Sequence, residues 1–253
     1  MHYLILMAAL LSADSGNDKH WSGFAETAVT NNYVVLPGAV VDHNPRLETQ
    51  LTLRYGDAQS AWYGNIWVSD PLVSRDSEDF GDEVDLSLGY QRTFEQLQLD
   101  TKLGYFAFKD LTDIKNDRLV FDLKLTLHHM PVVQPYIKMR YFGELNDHSA
   151  PGGFFFLVGA SRHQPLGFTL PWSQSEQTLD FGIDTGWSGG AFNKDAGYVY
   201  TRLWLSPKVD LSKQWYLQPS ASYQWSAASQ QGRPSDYADG NQWMFKLAVG
   251  FKF

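Results

Sequence analysis

Apolar and polar positions alternate with a period of two along most of this chain. Residues 242–253 show it most plainly: Trp243, Phe245, Leu247, Val249, Phe251 and Phe253 share one parity, while Met244, Lys246, Ala248, Gly250 and Lys252 share the other. Opposite parities fall on opposite faces of a strand, so one face is greasy and the other small or charged. Residues 47–55 repeat the pattern, with Leu47, Thr49, Leu51, Leu53 and Tyr55 against Glu48, Gln50, Thr52 and Arg54. Similar segments at 24–35, 61–69, 83–91, 97–106, 119–128, 133–142, 154–161, 178–187, 198–206 and 215–225 bring the total to about twelve, each near the ~9–11 residues of a tilted membrane strand.

The connections tend to alternate in length. Short turns such as 56–59 and 129–131 are interleaved with longer polar stretches at 70–82, 143–152 and 226–240. The pattern predicts an all-β fold: a single antiparallel transmembrane β-barrel of about 12 strands, with short periplasmic turns, longer external loops and both termini on the periplasmic side. One stretch resists it. Residues 162–177, with Pro165, Pro171 and Trp172, stand where a tight turn is expected, so either the eighth strand runs on with a bulge or the strand count is off there. In the same strand Phe154, Phe155, Phe156 and Leu157 hide which face is which.

The outward aromatics sort into two belts, as they do at two membrane interfaces. Tyr55, Trp62, Tyr90, Trp215 and Phe253 fall at the turn end, and Tyr105, Tyr141, Trp187, Tyr223, Trp225 and Trp243 at the loop end. No apolar run reaches the ~18 residues of a membrane helix. The longest, residues 3–11, leads into Ser12 and Ala13 and has the form of a signal-peptide core without its basic start. The expected organisation is a signal-like segment at 1–13, a periplasmic segment at 14–23 and one barrel over 24–253.

The final strand, ending in Phe253 behind alternate apolar residues, resembles the closing strand of a bacterial outer-membrane β-barrel. That resemblance implies residence in the bacterial outer membrane among lipid and lipopolysaccharide, and recognition of this strand by the barrel-assembly machinery. Over the first half of the chain, residues 31–34, 62–70, 82–90 and 103–106 follow in an order similar to the TorF-type porins of Gram-negative bacteria. Leu36-Pro37 departs from the more polar step expected after the first strand of that family.

Composition narrows the chemistry. The absence of cysteine removes disulfides, thiolate metal sites and cysteine nucleophiles. A net charge of −8, with no basic run, argues against a nucleic-acid partner. In a membrane barrel the polar parity lines the lumen. There Glu48, Glu83, Asp85, Asp100, Asp122, Asp180 and Asp184 face Arg54, Lys102, Lys124, Lys138, Arg140, Arg202, Lys246 and Lys252. Acids dominate the second to fourth strands, whereas Lys102, Lys124, Lys138 and Arg140 form a basic ladder across the fifth to seventh. The expected result is an acidic wall and a basic wall with a transverse field between them. Inward Tyr63, Trp67, Phe106, Tyr136, Tyr198, Tyr200 and Trp204 are expected to constrict the bore.

The function expected from this lumen is a porin-like channel for passive diffusion of small hydrophilic solutes, with no cofactor and no metal. The alternative is a non-conducting surface barrel that binds lipopolysaccharide or another partner through its loops. An outer-membrane hydrolase is more remote, because no histidine lies beside an outward serine in the His-x-Ser context, and no catalytic residue is assigned. The neighbouring His128 and His129 point to opposite faces of an extended chain and suit one metal poorly. The acidic loop around 76–83 lacks the spacing of a helix–loop–helix calcium site.

Overall fold

The computed structural model describes residues 20–36, 39–42, 44–72, 82–109, 117–128, 130, 132–145, 152–173, 175–190, 196–226 and 241–253. In chain order the strands are β1 (His20–Thr30), β2 (Tyr33–Leu36), β3 (Ala39–Asp42), β4 (Arg46–Gly56), β5 (Ser60–Pro71), β6 (Asp82–Phe94) and β7 (Leu97–Lys109). They continue with β8 (Arg118–Leu127), β9 (Gln134–Glu144), β10 (Gly153–Thr169), β11 (Glu176–Gly189), β12 (Gly197–Asp210), β13 (Trp215–Ser226) and β14 (Gln242–Lys252). Twelve of them close an antiparallel barrel in which β14 pairs back onto β1, and β2 and β3 form a separate hairpin in the first long connection. No helix occurs among the described residues.

The alternation dictates this arrangement. Leu88, Leu103, Ile137 and Leu247 are exposed on the outer face, each more than half accessible. A belt of exposed aliphatic side chains around a closed sheet is stable where lipid surrounds it, and closure leaves no backbone donor unpaired in that lipid. The turns between strands are built by local chemistry at one end. Asp57 Oδ1 accepts the backbone N–H groups of Gln59 and Ser60, both at 2.7 Å, and fixes the β4–β5 turn.

Aromatic rings mark both ends of the outer belt. Toward the turns, Trp21 packs on Tyr55 at 5.1 Å between centroids, Trp62 on Tyr90 at 4.9 Å, and Trp215 on Phe251 at 5.1 Å. Toward the loops, Tyr141 packs on Phe154 at 4.8 Å and Tyr223 on Trp243 at 4.9 Å, with Trp187 and Trp225 exposed beside them. Tyr105 at that end donates to Asp117. Trp21, Phe154 and Phe251 belong to these belts although the sequence pattern did not single them out.

Two boundaries differ from the sequence reading. The first strand begins at His20 rather than residue 24, so residues 20–23 of the expected leading segment are part of the barrel, and it ends at Thr30 instead of running to 35. Residues 1–19, including the signal-like segment, lie outside the described residues, as do His129 and most of the acidic stretch near 76–81. The stretch after residue 161 resolves in favour of a continuous strand. β10 runs to Thr169, its pairing with β11 shifts between Pro165 and Thr169, and the turn follows. The register also settles the four-residue apolar run: Phe154, Phe156 and Val158 face outward, while Phe155 and Leu157 are buried inside.

The seam between first and last strands runs from Phe24 opposite Lys252 to Thr30 opposite Lys246. The chain's last residue completes it: Gly23 N–H donates to the Phe253 carbonyl at 3.0 Å, and Phe253 N–H returns to the Gly23 carbonyl at 3.1 Å. The Phe253 ring occupies the space a side chain on Gly23 would need. Phe253→Ala is expected to keep the backbone pair but to cost about 1–2 kcal/mol of ring burial. The check is the fraction of refolded protein whose gel mobility shifts on heating, which should fall.

Candidate functional site

The polar parity of each strand turns into the lumen. Glu48, Arg54, Glu83, Asp85, Asp100, Lys102, Asp122, Lys124, Lys138, Arg140, Asp180, Asp184, Arg202 and Lys246 all lie on the inner face of the sheet. Most are gathered into small groups. Asp122 on β8 is the hub of the largest. Arg140 grips it with Nε at 2.6 Å and a second nitrogen at 2.7 Å, Lys138 lies at 3.1 Å, and Lys102 at 3.5 Å. Asp184 holds Arg202 at 2.8 Å, and Lys246 bridges Glu26 at 3.1 Å and Glu48 at 3.4 Å. Asp180 meets His163 at 2.7 Å near the turn end.

This arrangement corrects the expectation of separate acidic and basic walls. Cross-strand register places Asp100 opposite Lys124, and Asp122 between Lys102 and Arg140, so carboxylates interrupt the basic ladder itself. The physical reason is desolvation: a charge taken out of water must be paired close by, and a distant wall of opposite sign does not satisfy it. Glu26, Lys208 and Asp210 join the lumen as well, beside the expected Lys252. Tyr216 donates to Glu26 at 2.9 Å, and Lys252 pairs with Asp210 at 2.8 Å.

Most of the inner aromatics lie against the wall of the barrel. Five of them stand directly opposite a glycine on the adjoining strand: Tyr63 opposite Gly89, Tyr136 opposite Gly159, Trp204 opposite Gly182, Tyr200 opposite Gly186 and Tyr216 opposite Gly250. In each case a β-carbon built on the glycine would collide with the ring, from 2.0 Å at Tyr216 to 2.8 Å at Trp204. The ring therefore lies over the glycine and along the wall, filling a notch that only the absent side chain provides. Phe106 lies beside Gly104 on its own strand, where a β-carbon would be crowded at 3.0 Å rather than blocked. Trp67 faces inward opposite Gln50 and Asp85.

Tyr198 is a correction of a different kind. The β11–β12 pairing shifts between Gly186 and Trp187, which sets Tyr198 opposite the outward Trp187. Its hydroxyl donates to Thr201 at 3.1 Å on the outer face, so it belongs to the loop-end belt and not to the lumen. A bulge resets parity, and residues beyond it change faces.

The lumen is filled unevenly. On the β7–β12 side, toward the loops, Phe106, Val120, Phe142, Phe155, Leu157 and Tyr200 form a buried apolar cluster. Around the rest of that end Thr30, Arg46, Ser69 and Gln224 are buried too. Open space begins below this belt. A cavity of about 340 Å³ lies among Phe24, Gln50, Thr52, Asn65 and the lysines 102, 124 and 138. A second of about 310 Å³ is lined by Glu26, Arg202, Ser220, Ser222 and Lys246. A third, about 630 Å³, forms the turn-end vestibule among Arg54, Gln91, Lys208, Tyr216 and Lys252. They share walls: Phe24, Thr52 and Tyr63 border the first and third, Glu26 and Gln218 the second and third.

Solved structures with this architecture include the NanC porin, at 10% identity and a TM-score of 0.53 over 91% of this chain and 100% of that one. An outer membrane channel from Pseudomonas putida F1 aligns at 12% identity and a TM-score of 0.51, over 96% and 100% of the two chains. The fold is that of an outer-membrane β-barrel. A bacterial polysaccharide outer membrane secretin is similar at 9% identity and a TM-score of 0.50, over 92% of this chain and 97% of that one. No family model and no curated protein matches the sequence. The TorF-type resemblance thus rests on its sequence motifs alone.

Proposed function

We propose that this barrel resides in the bacterial outer membrane and passes small hydrophilic solutes by diffusion. The observation that carries the reading is the chain of polar cavities inside a closed barrel whose outer face is apolar. The rings of Tyr63, Trp204 and Tyr216 support it, because each lies along the wall over a glycine rather than across the cavities it borders. Lipid and lipopolysaccharide surround the outer belts in this reading, and β14 is the strand offered to the assembly machinery.

No catalytic role is assigned. His163 and Asp180 form a dyad, but among the described residues no serine or threonine hydroxyl bonds the histidine, so the dyad lacks an activated nucleophile. A second reading draws on the buried belt at the loop end, which favours a barrel shut on that side and acting through its surface. The expected result is steady, discrete conductance after insertion of the refolded protein into a planar bilayer. A heat-modifiable barrel that inserts and stays silent would reject the channel in favour of the closed barrel.

A further inference from the structure

The chain is acidic overall, at −8, yet its internal cavities are not. The three cavities together are lined by eight cationic side chains and three carboxylates. All three carboxylates are engaged. Asp122 is held by Arg140, Lys138 and Lys102, Glu26 by Lys246 and Tyr216, and Asp100 accepts the Tyr63 hydroxyl at 2.6 Å. Three of the cations make no direct ion pair among the described residues, although Asp100 stands opposite Lys124 in the register and Asp210 lies near Lys208. Lys124 rests its ammonium 4.6 Å from the Tyr136 ring centroid, and Lys208 lies 4.1 Å from that of Tyr216. Arg54 donates only to Gln91 and to the Asp57 carbonyl.

We propose that the lumen is an anion path, and that the cavity beside Lys124 is a binding station for small polyhydroxylated carboxylates. The inference rests on the channel reading above. Its basis is the excess of cations over carboxylates on the cavity walls, within which Lys124, Arg54 and Lys208 make no direct ion pair and stay open to a solute along the route from mid-barrel to the turns. The station has a second side. Gln50, Thr52 and Asn65 present amides and hydroxyls across from the lysines, and Phe24 offers an apolar face. Ammonium groups match a carboxylate, the amides and hydroxyls match sugar-like hydroxyls, and the ring matches a C–H face. About 340 Å³ accommodates a single small solute at a time.

The test uses the refolded full-length chain in a planar bilayer under a potassium chloride gradient. The expected reversal potential shows chloride preferred over potassium severalfold. Gluconate should then interrupt the chloride current at concentrations where glucose, of similar size and uncharged, does not. Lys124→Gln should raise the gluconate needed severalfold, with Lys124→Arg restoring most of the sensitivity; in both, Asp100 keeps its hydrogen bond from the Tyr63 hydroxyl. Preference for potassium, or equal responses to gluconate and glucose, would overturn the anion path while leaving the channel in place. Insertion without conductance would overturn both. The wild-type selectivity decides the matter even where a variant does not refold.

Discussion

Asp122→Asn is expected to destabilise the barrel by about 3–5 kcal/mol and to move its ion selectivity further toward anions. The substitution preserves shape but removes the one charge on which Arg140, Lys138 and Lys102 converge. Asp122 is only 6% exposed in its side chain, so water cannot replace it fully, and three cations are left to repel one another. Urea titration of the folded protein in lipid should show the lowered midpoint. The reversal potential of whatever folds reports the second effect. Reduced stability with unchanged selectivity would place the cluster off the permeation route.

Gly250→Ala should be costly to the turn-end half of the lumen. Its β-carbon would come 2.0 Å from the Tyr216 ring, which is 3% exposed and tied by its hydroxyl to Glu26. The ring must leave the wall, and it borders the vestibule of about 630 Å³. Overpacking of this kind costs about 1–3 kcal/mol. The displaced ring should also lower single-channel conductance. Combining Gly250→Ala with Tyr216→Ala should restore conductance, and the two stability losses should be less than additive. Equal conductance in wild type and Gly250→Ala would mean that current does not pass the vestibule wall.

The period-two pattern made much of the fold legible. Strands β4 and β14 needed only their alternation, since Leu47 to Tyr55 and Trp243 to Phe253 each keep one face without interruption. Parity fails where the backbone breaks step. Tyr198 was assigned inward because nothing in its neighbours announces the shift at Gly186 and Trp187. Phe154 to Leu157 are apolar on both faces because the strand carries the barrel's apolar outer belt on one side and a packed lumen on the other. A buried Val120 opposite Phe142 could have been suspected, as both break the polar parity of their strands.

What no single strand reveals is register. That Tyr63 sits over Gly89, or that Lys102 and Arg140 flank one aspartate, depends on how neighbouring strands slide past one another. Sequence located the charges and rings but assigned them to walls and constrictions in isolation. Their meaning changes once cross-strand partners are known, because pairing decides which cations are neutralised and which remain presented to solute.

The β1–β14 seam bears on how the molecule is made. Adjacent barrel strands otherwise pair across a turn or loop, so each hairpin can zip locally, but Phe24 meets Lys252 only after almost the whole sequence has been spanned. Closing that gap is the entropically expensive, high-contact-order step. Until it happens the sheet carries two bare edges, each a template for pairing with a neighbouring chain. Delay at this point is therefore a race between ring closure and aggregation, and substitutions near Gly23 or Phe253 should alter yield more than they alter the finished barrel.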